Sequence, residues 1–162
     1  MTIATLCTRD VVHIETLESV AKAARLMREH HVGSVVIVEH DQSRMRPVGM
    51  ITDRDIAVGV VALGLDPERT PVVRVMGTGV VSIGGDEGVE RALSRMRSEG
   101  VRRLPVVDAD GALVGIVSAD DLIELFAEET GFGRVLARGL VRERALRPER
   151  PHGLPESVAE KY

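Results

Sequence analysis

The chain has 162 residues, room for one good core, and its 44% hydrophobic content is carried mainly by Val, Ala, Leu, Ile and Met, with no Trp, one Tyr and two Phe. A net charge of −4 argues against a general nucleic-acid binder, and the single cysteine, Cys7, excludes an intramolecular disulfide. No apolar run approaches the ~20 residues needed to cross a bilayer, and the N-terminus lacks the basic and apolar regions of a secretory signal, so the cytosol is the expected location.

Val11–Ile14 reads as a short β run. Thr16 is placed to cap an amphipathic helix running to about His31, with Val20, Ala23, Ala24 and Met27 at helical spacing. Ser34–Glu39 is apolar without alternation, which predicts burial on both faces. After a polar turn, Pro47–Thr52 is a third β run, and Asp53 to about Leu63 a second helix, stopped by Gly64 and Pro67. A short helical turn at Val72–Met76 bridges to the second half. There the order returns: Val80–Ile83, a helix over Asp86–Glu99, a strand Leu104–Asp108, a turn, a strand Ala112–Ser118 and a helix to about Thr130. Phe132–Leu146 is expected to be a basic helix, and Pro148, Pro151, Gly153 and Pro155 predict a flexible tail.

The two halves align residue by residue. A shift of 69 carries Val11-Val12-His13-Ile14 onto Val80-Val81-Ser82-Ile83, and Glu18, Val20, Ala23, Met27 and Val32 onto Glu87, Val89, Ala92, Met96 and Val101. The first copy has about three additional residues in Asp41–Arg46, after which a shift of 66 brings Gly49 onto Gly115 and Asp55 onto Asp121. A period of this length is too long for a solenoid of 20–50-residue units. The expectation is two halves of one compact α/β (α+β) domain, β-α-β-β-α twice, with a C-terminal helical extension.

Each half ends its last strand on one phrase, Gly49-Met50-Ile51-Thr52-Asp53-Arg54-Asp55 and Gly115-Ile116-Val117-Ser118-Ala119-Asp120-Asp121. A hydroxyl at a strand end can donate to phosphate, and a carboxylate one turn into a helix can accept from ribose hydroxyls. Both can equally be plain helix-capping devices.

The β-α-β-β-α unit with Gly-x-x-Thr/Ser-x-x-Asp at its last strand–helix junction resembles the CBS domain, named after cystathionine β-synthase. So does Arg102-Arg103-Leu104-Pro105-Val106-Val107-Asp108 ahead of the second motif. The resemblance covers about residues 7–131, as two domains over 7–70 and 74–131 followed by a basic segment over 132–162. It implies a tandem pair packed with pseudo-two-fold symmetry, adenosine-containing ligands of the AMP, ADP and ATP class as regulatory ligands, and homodimers. No required cofactor is implied. Carried onto this chain, it places ribose at Asp55 and Asp121 and phosphate near Thr52, Ser118, Arg102 and Arg103. The counterparts of the two arginines are Gly33 and Ser34, so the two clefts should differ. Val12, Val36, Ile51, Val81, Pro105 and Val117 are candidates to line an adenine slot, with ordinary core as the competing role.

The remaining polar residues suggest no chemistry. His30 and His31 are adjacent and point about 100° apart on a helix, a poor start for a shared metal. Asp108 and Asp110 belong to a turn. No nucleophile–base arrangement and no metal motif is visible, so no enzymatic activity is expected. Three readings follow: a sensor of adenine nucleotides, a ligand-free interaction module that pairs subunits or docks an unidentified target protein, and, more weakly, nucleic-acid contact through Arg134–Arg150. The lack of aromatics removes stacking platforms for single strands from the last.

Overall fold

The structure, a computed structural model, describes residues 1–41, 44–77 and 79–129, with backbone only at 127–129. The expected basic helix and flexible tail beyond residue 131 lie outside the described residues.

Among the described residues, six strands form two sheets of three. In the first, β1 (His13–Glu15) runs parallel to β2 (Ser34–Asp41), which pairs antiparallel with β3 (Arg44–Thr52). In the second, β4 (Ile83–Gly84), β5 (Arg103–Val107) and β6 (Leu113–Ser118) repeat that arrangement. Helix α1 (Val20–Glu29) crosses from β1 to β2, and α3 (Val89–Glu99) from β4 to β5. Helix α2 (Asp53–Ile56), widened into a π turn over Ala57–Val61, follows β3, and α4 (Ala119–Glu129) follows β6. The order β-α-β-β-α therefore occurs twice, as the duplication requires. Met1–Asp121 forms one compact unit, and a second begins at Leu122, whose described part is the rest of α4.

The first core shows how apolar spacing becomes packing. Val35, Ile37 and Ile51 are sealed from solvent on one face of the sheet, together with Val20, Ala23 and Met27 of α1, Ile14, Val60 and Val72. Burying a side chain of this kind is worth about 1.5–3 kcal/mol. Val36 and Val38 point to the opposite face of β2 and are sealed as well, which is why this strand reads as an unbroken apolar run.

Several expected boundaries shift for tertiary reasons. Helix α1 starts at Val20, capped by Ser19 and not by Thr16. The Ser19 hydroxyl accepts from Lys22 N–H at 3.2 Å, and the Ser19 backbone bridges to Pro71. Helix α3 starts at Val89, not Asp86, because Glu87 turns back to accept from Gly84 N–H at 2.9 Å. Both helices end in the same 6→1 closure, Val32 N–H to Met27 C=O and Val101 N–H to Met96 C=O, each 3.0 Å. The residue that turns left-handed there is Gly100 in α3 (φ 67°) but His31 in α1 (φ 54°). Strand β3 starts at Arg44, earlier than Pro47, because the additional residues lengthen the β2–β3 hairpin.

The segments ahead of each repeat dock on the opposite one. Ile3 N–H donates to Glu87 C=O (2.9 Å) and Ala4 N–H to Gly85 C=O (2.8 Å), both in the second repeat. Val72 N–H donates to Glu18 C=O (2.9 Å) and Val73 N–H to Thr16 C=O (3.3 Å), both in the first. The bridges Thr2 to Gly88 and Pro71 to Ser19 complete the correspondence, and each segment holds a single 3₁₀ turn, Ile3–Thr5 and Val72–Arg74.

Candidate functional site

The two motifs fold to the same geometry. Asp55 Oδ2 accepts from Thr52 N–H at 2.8 Å and from the Thr52 hydroxyl at 2.7 Å, while Asp55 N–H donates back to that hydroxyl at 3.2 Å. In the second motif Asp121 Oδ2 accepts from Ser118 N–H at 2.8 Å and the Ser118 hydroxyl at 2.7 Å, and Asp121 N–H returns 3.2 Å to the hydroxyl. Each is a reciprocal capping box that starts its helix. All four residues are half-buried.

This arrangement redistributes the roles read from the sequence. The single O–H of Thr52 and of Ser118 is given to its own aspartate, so in this state neither hydroxyl donates to a phosphate. Each aspartate uses Oδ2 for the cap, and Oδ1 accepts from no other described residue. A carboxylate held this way is rigid and keeps acceptor capacity for a further donor pair.

Each motif glycine is pinned by the docked segment of the opposite repeat. A Cβ on Gly49 would lie 2.5 Å from Met76 Sδ, and one on Gly115 would lie 2.5 Å from Cys7 Sγ and 3.1 Å from Thr8 C=O. Each glycine also follows a β-bulge, at Val48 and Val114, left unpaired between Gly49 and Pro47 and between Gly115 and Leu113. Cys7 and Met76 correspond under the shift of 69, and neither stood out in the sequence as a site residue.

The two arginines separate. Arg102 is exposed and paired with Asp120 at 3.0 Å, and its carbonyl accepts from Ala119 N–H at 2.8 Å. Arg103 stands opposite Ser118 in the β5–β6 register and is half-buried on the same sheet face as Ser118, with no ion pair among the described residues. Ser34 stands opposite Thr52 in the first repeat and is buried. The motif ends of the two repeats therefore differ by one cation.

The adenine candidates scatter. Ile51 and Val117 are sealed, Ile51 inside the first core on the helix-covered face. Their burial fits the competing role of core residues. Val36 and Pro105 lie on the opposite face of their sheets, matched to Met50 and Ile116, and are also buried. Val12 packs partly buried against the first core, and Val81 is half-buried.

Two surface concavities are shallow and lie elsewhere. One of about 190 Å³ is lined by Arg9, Asp10, Val11, His13, Met45, Leu113 and Val114. The other, about 280 Å³, is lined by Glu15, Thr16, Val38, Glu39 and His40. Both fall below the ~300 Å³ at which small-molecule pockets begin, and neither includes a capping box. Among the described residues no group of three His, Cys, Asp or Glu could hold a metal ion. No described helix is long and apolar enough to cross a membrane.

The family model for the CBS domain matches this chain twice, over residues 3–61 and 72–128. An uncharacterized protein of Methanopyrus kandleri, MK0525, is 38% identical over 117 residues, 72% of this chain and 58% of that protein. Among solved structures, CBS domain protein PAE2072 from Pyrobaculum aerophilum, complexed with AMP, superposes with a TM-score of 0.68 at 26% identity, covering 75% of this chain and 89% of that one. The CBS domain pair of protein MJ0100, in complex with 5′-methylthioadenosine and S-adenosyl-L-methionine, gives a TM-score of 0.69 at 25% identity, covering 80% and 98%.

Proposed function

This chain belongs to the CBS domain family as a tandem pair, and on that premise we propose that it is a regulatory module that binds adenosine-containing nucleotides at its two motifs. The observation that carries the reading is the duplicated capping box, which holds a rigid half-buried carboxylate at the start of a helix in each repeat. The molecules bound in the two structural relatives have in common adenine and a ribose with its 2′,3′-diol, so recognition of that shared part is served by a partner for the diol. Asp55 and Asp121 fill this role through Oδ1, each charge-assisted bond being worth about 1.5–3 kcal/mol when shielded from water. Phosphate is met by Arg103, not by the hydroxyls of Thr52 and Ser118, which are given to their own aspartates. Arg102 is a weaker candidate because Asp120 already neutralises it. The nucleotide acts as a signal: it is bound and released unchanged, and it shifts a conformational equilibrium by its differential affinity for two states.

Substitution at both aspartates tests this directly. Asp55→Asn with Asp121→Asn keeps a cap acceptor and removes both carboxylates. Binding of AMP should fall by more than about tenfold, or 1.4 kcal/mol, with the fold intact by circular dichroism. Unchanged affinity would return both residues to capping alone.

A ligand-free interaction module is the second reading, and one observation favours it. The helix after β3 and the turn beyond it leave Val58, Val61 and Leu63 more than half exposed, a row that a homodimer or a target protein could cover.

A further inference from the structure

The docked segments form a closed circuit through unit Met1–Asp121. Residues Thr2–Thr8 lie on the second repeat, where Cys7 covers Gly115, and Thr8 and Ile116 exchange two hydrogen bonds of 2.9 Å. The same segment leads within a few residues into β1, whose approach is fixed by Val36 N–H donating to Val12 C=O at 3.0 Å. From β1 the sheet continues through β2 to β3 and Gly49, which Met76 covers. Met76 ends the segment Pro71–Met76 and leads on to β4, then through β5 to β6 and Gly115. Besides the strand pairings, the ring is closed at two docked contacts, each with a sulfur side chain seated on a motif glycine, and the one at Gly115 is reinforced by the Thr8–Ile116 hydrogen bonds. Ile3 and Val72, each with no exposed surface, anchor the two segments.

We propose that Thr2–Thr8 and Pro71–Met76 are reciprocal straps that couple the two motif glycines, so that undocking one strap loosens the other and the repeats open and close together. The physical basis is shape. A glycine beneath a sulfur lets strap and strand approach more closely than any side chain would allow, so a shift of β6 presses on Cys7 and is carried along the chain into β1, and a shift of β3 presses on Met76 and is carried into β4. Packed contacts of this kind have discrete docked and undocked arrangements. The device does not depend on which ligand, if any, the motifs bind.

Cys7 is the only cysteine and so reports docking of its own strap. The experiment measures its alkylation rate by iodoacetamide in the full chain. Gly115→Ala places a methyl 2.5 Å from Cys7 Sγ and 3.0 Å from its Cβ and should raise the rate at least about tenfold. The decisive variant is Gly49→Val in the other repeat; valine is chosen because Met76 can swing away from a single methyl. It should also raise the Cys7 rate several-fold, and Met76→Ala, which removes that cover without adding bulk, should act in the same direction. Ala24→Gly on the exposed face of α1 is the control, destabilising the first repeat through helix propensity and outside the core that holds Val72 and Met76, and should leave the rate at the wild-type value. A Cys7 rate unmoved by both Gly49→Val and Met76→Ala would show independent straps and overturn the proposal. An equal rise in Ala24→Gly would assign the reactivity to global unfolding and overturn it as well.

Discussion

At the scale of single residues, the same atoms serve fold and proposed site. Asp121 caps α4 through Oδ2 and offers Oδ1 to a ligand, so Asp121→Ala should lose on both counts. Loss of the cap is expected to lower stability by about 1 kcal/mol, read by urea denaturation, and nucleotide affinity should fall at least about tenfold, read by titration. Asp121→Asn should recover most of the stability and none of the affinity. If the two substitutions weaken binding only in proportion to stability, Asp121 is a cap and nothing more. Arg103→Ala should weaken ATP more than adenosine, since a guanidinium with no ion pair among the described residues meets phosphate and not the nucleoside. Equal losses for the two would remove Arg103 from the phosphate role. The motif aspartates stood out in the sequence because the phrase occurs twice. The spent hydroxyls did not, because residue type says nothing about where a proton is donated. For Ile51 and Val117 the sequence left adenine slot and core as alternatives, since an apolar residue beside a motif can face either side of its strand, and register alone decides which.

At the scale of elements, helix α1 carries a correctable defect. His31 adopts the left-handed conformation that Gly100 adopts at the equivalent end of α3. Such a conformation costs an L-residue roughly 1–2 kcal/mol, partly offset by the extra freedom glycine has when unfolded. His31→Gly is therefore expected to stabilise the chain by about 0.5–1 kcal/mol in urea unfolding; destabilisation would mean that the imidazole has a partner in solution. The helices and strands were legible because their periods differ and the pattern is written twice. Their ends were less so. Thr16 has the right chemistry for a cap, but Ser19 is the residue that Pro71 holds in an extended conformation, a contact 52 positions along the chain. The straps were legible in principle: extending the alignment back from Val11 sets Cys7 on Met76 and Ile3 on Val72. What the alignment cannot display is that each docks on the opposite repeat.

At the scale of the whole molecule, the two repeats are alike in fold and unlike in charge. The lengthened β2–β3 hairpin of the first repeat reaches the β5–β6 turn of the second, where Arg44 meets Asp110 at 2.7 Å. That pair is solvent-exposed, and Arg44→Ala should change stability by less than about 1 kcal/mol, measured in the same urea titration. A larger loss would make the hairpin a structural clasp between repeats. The cation at Arg103 and the buried Ser34 at the equivalent position predict unequal affinities at the two motifs. Calorimetric titration of the purified protein with AMP, ADP, ATP and S-adenosylmethionine, with GTP as control, tests the account at its centre. Micromolar binding of at least one adenosine compound, absent for GTP, is the predicted result, with two unequal sites if both motifs are used. No heat and no thermal shift with any adenosine compound, or equal binding of GTP, would contradict it and leave the interaction module as the surviving reading.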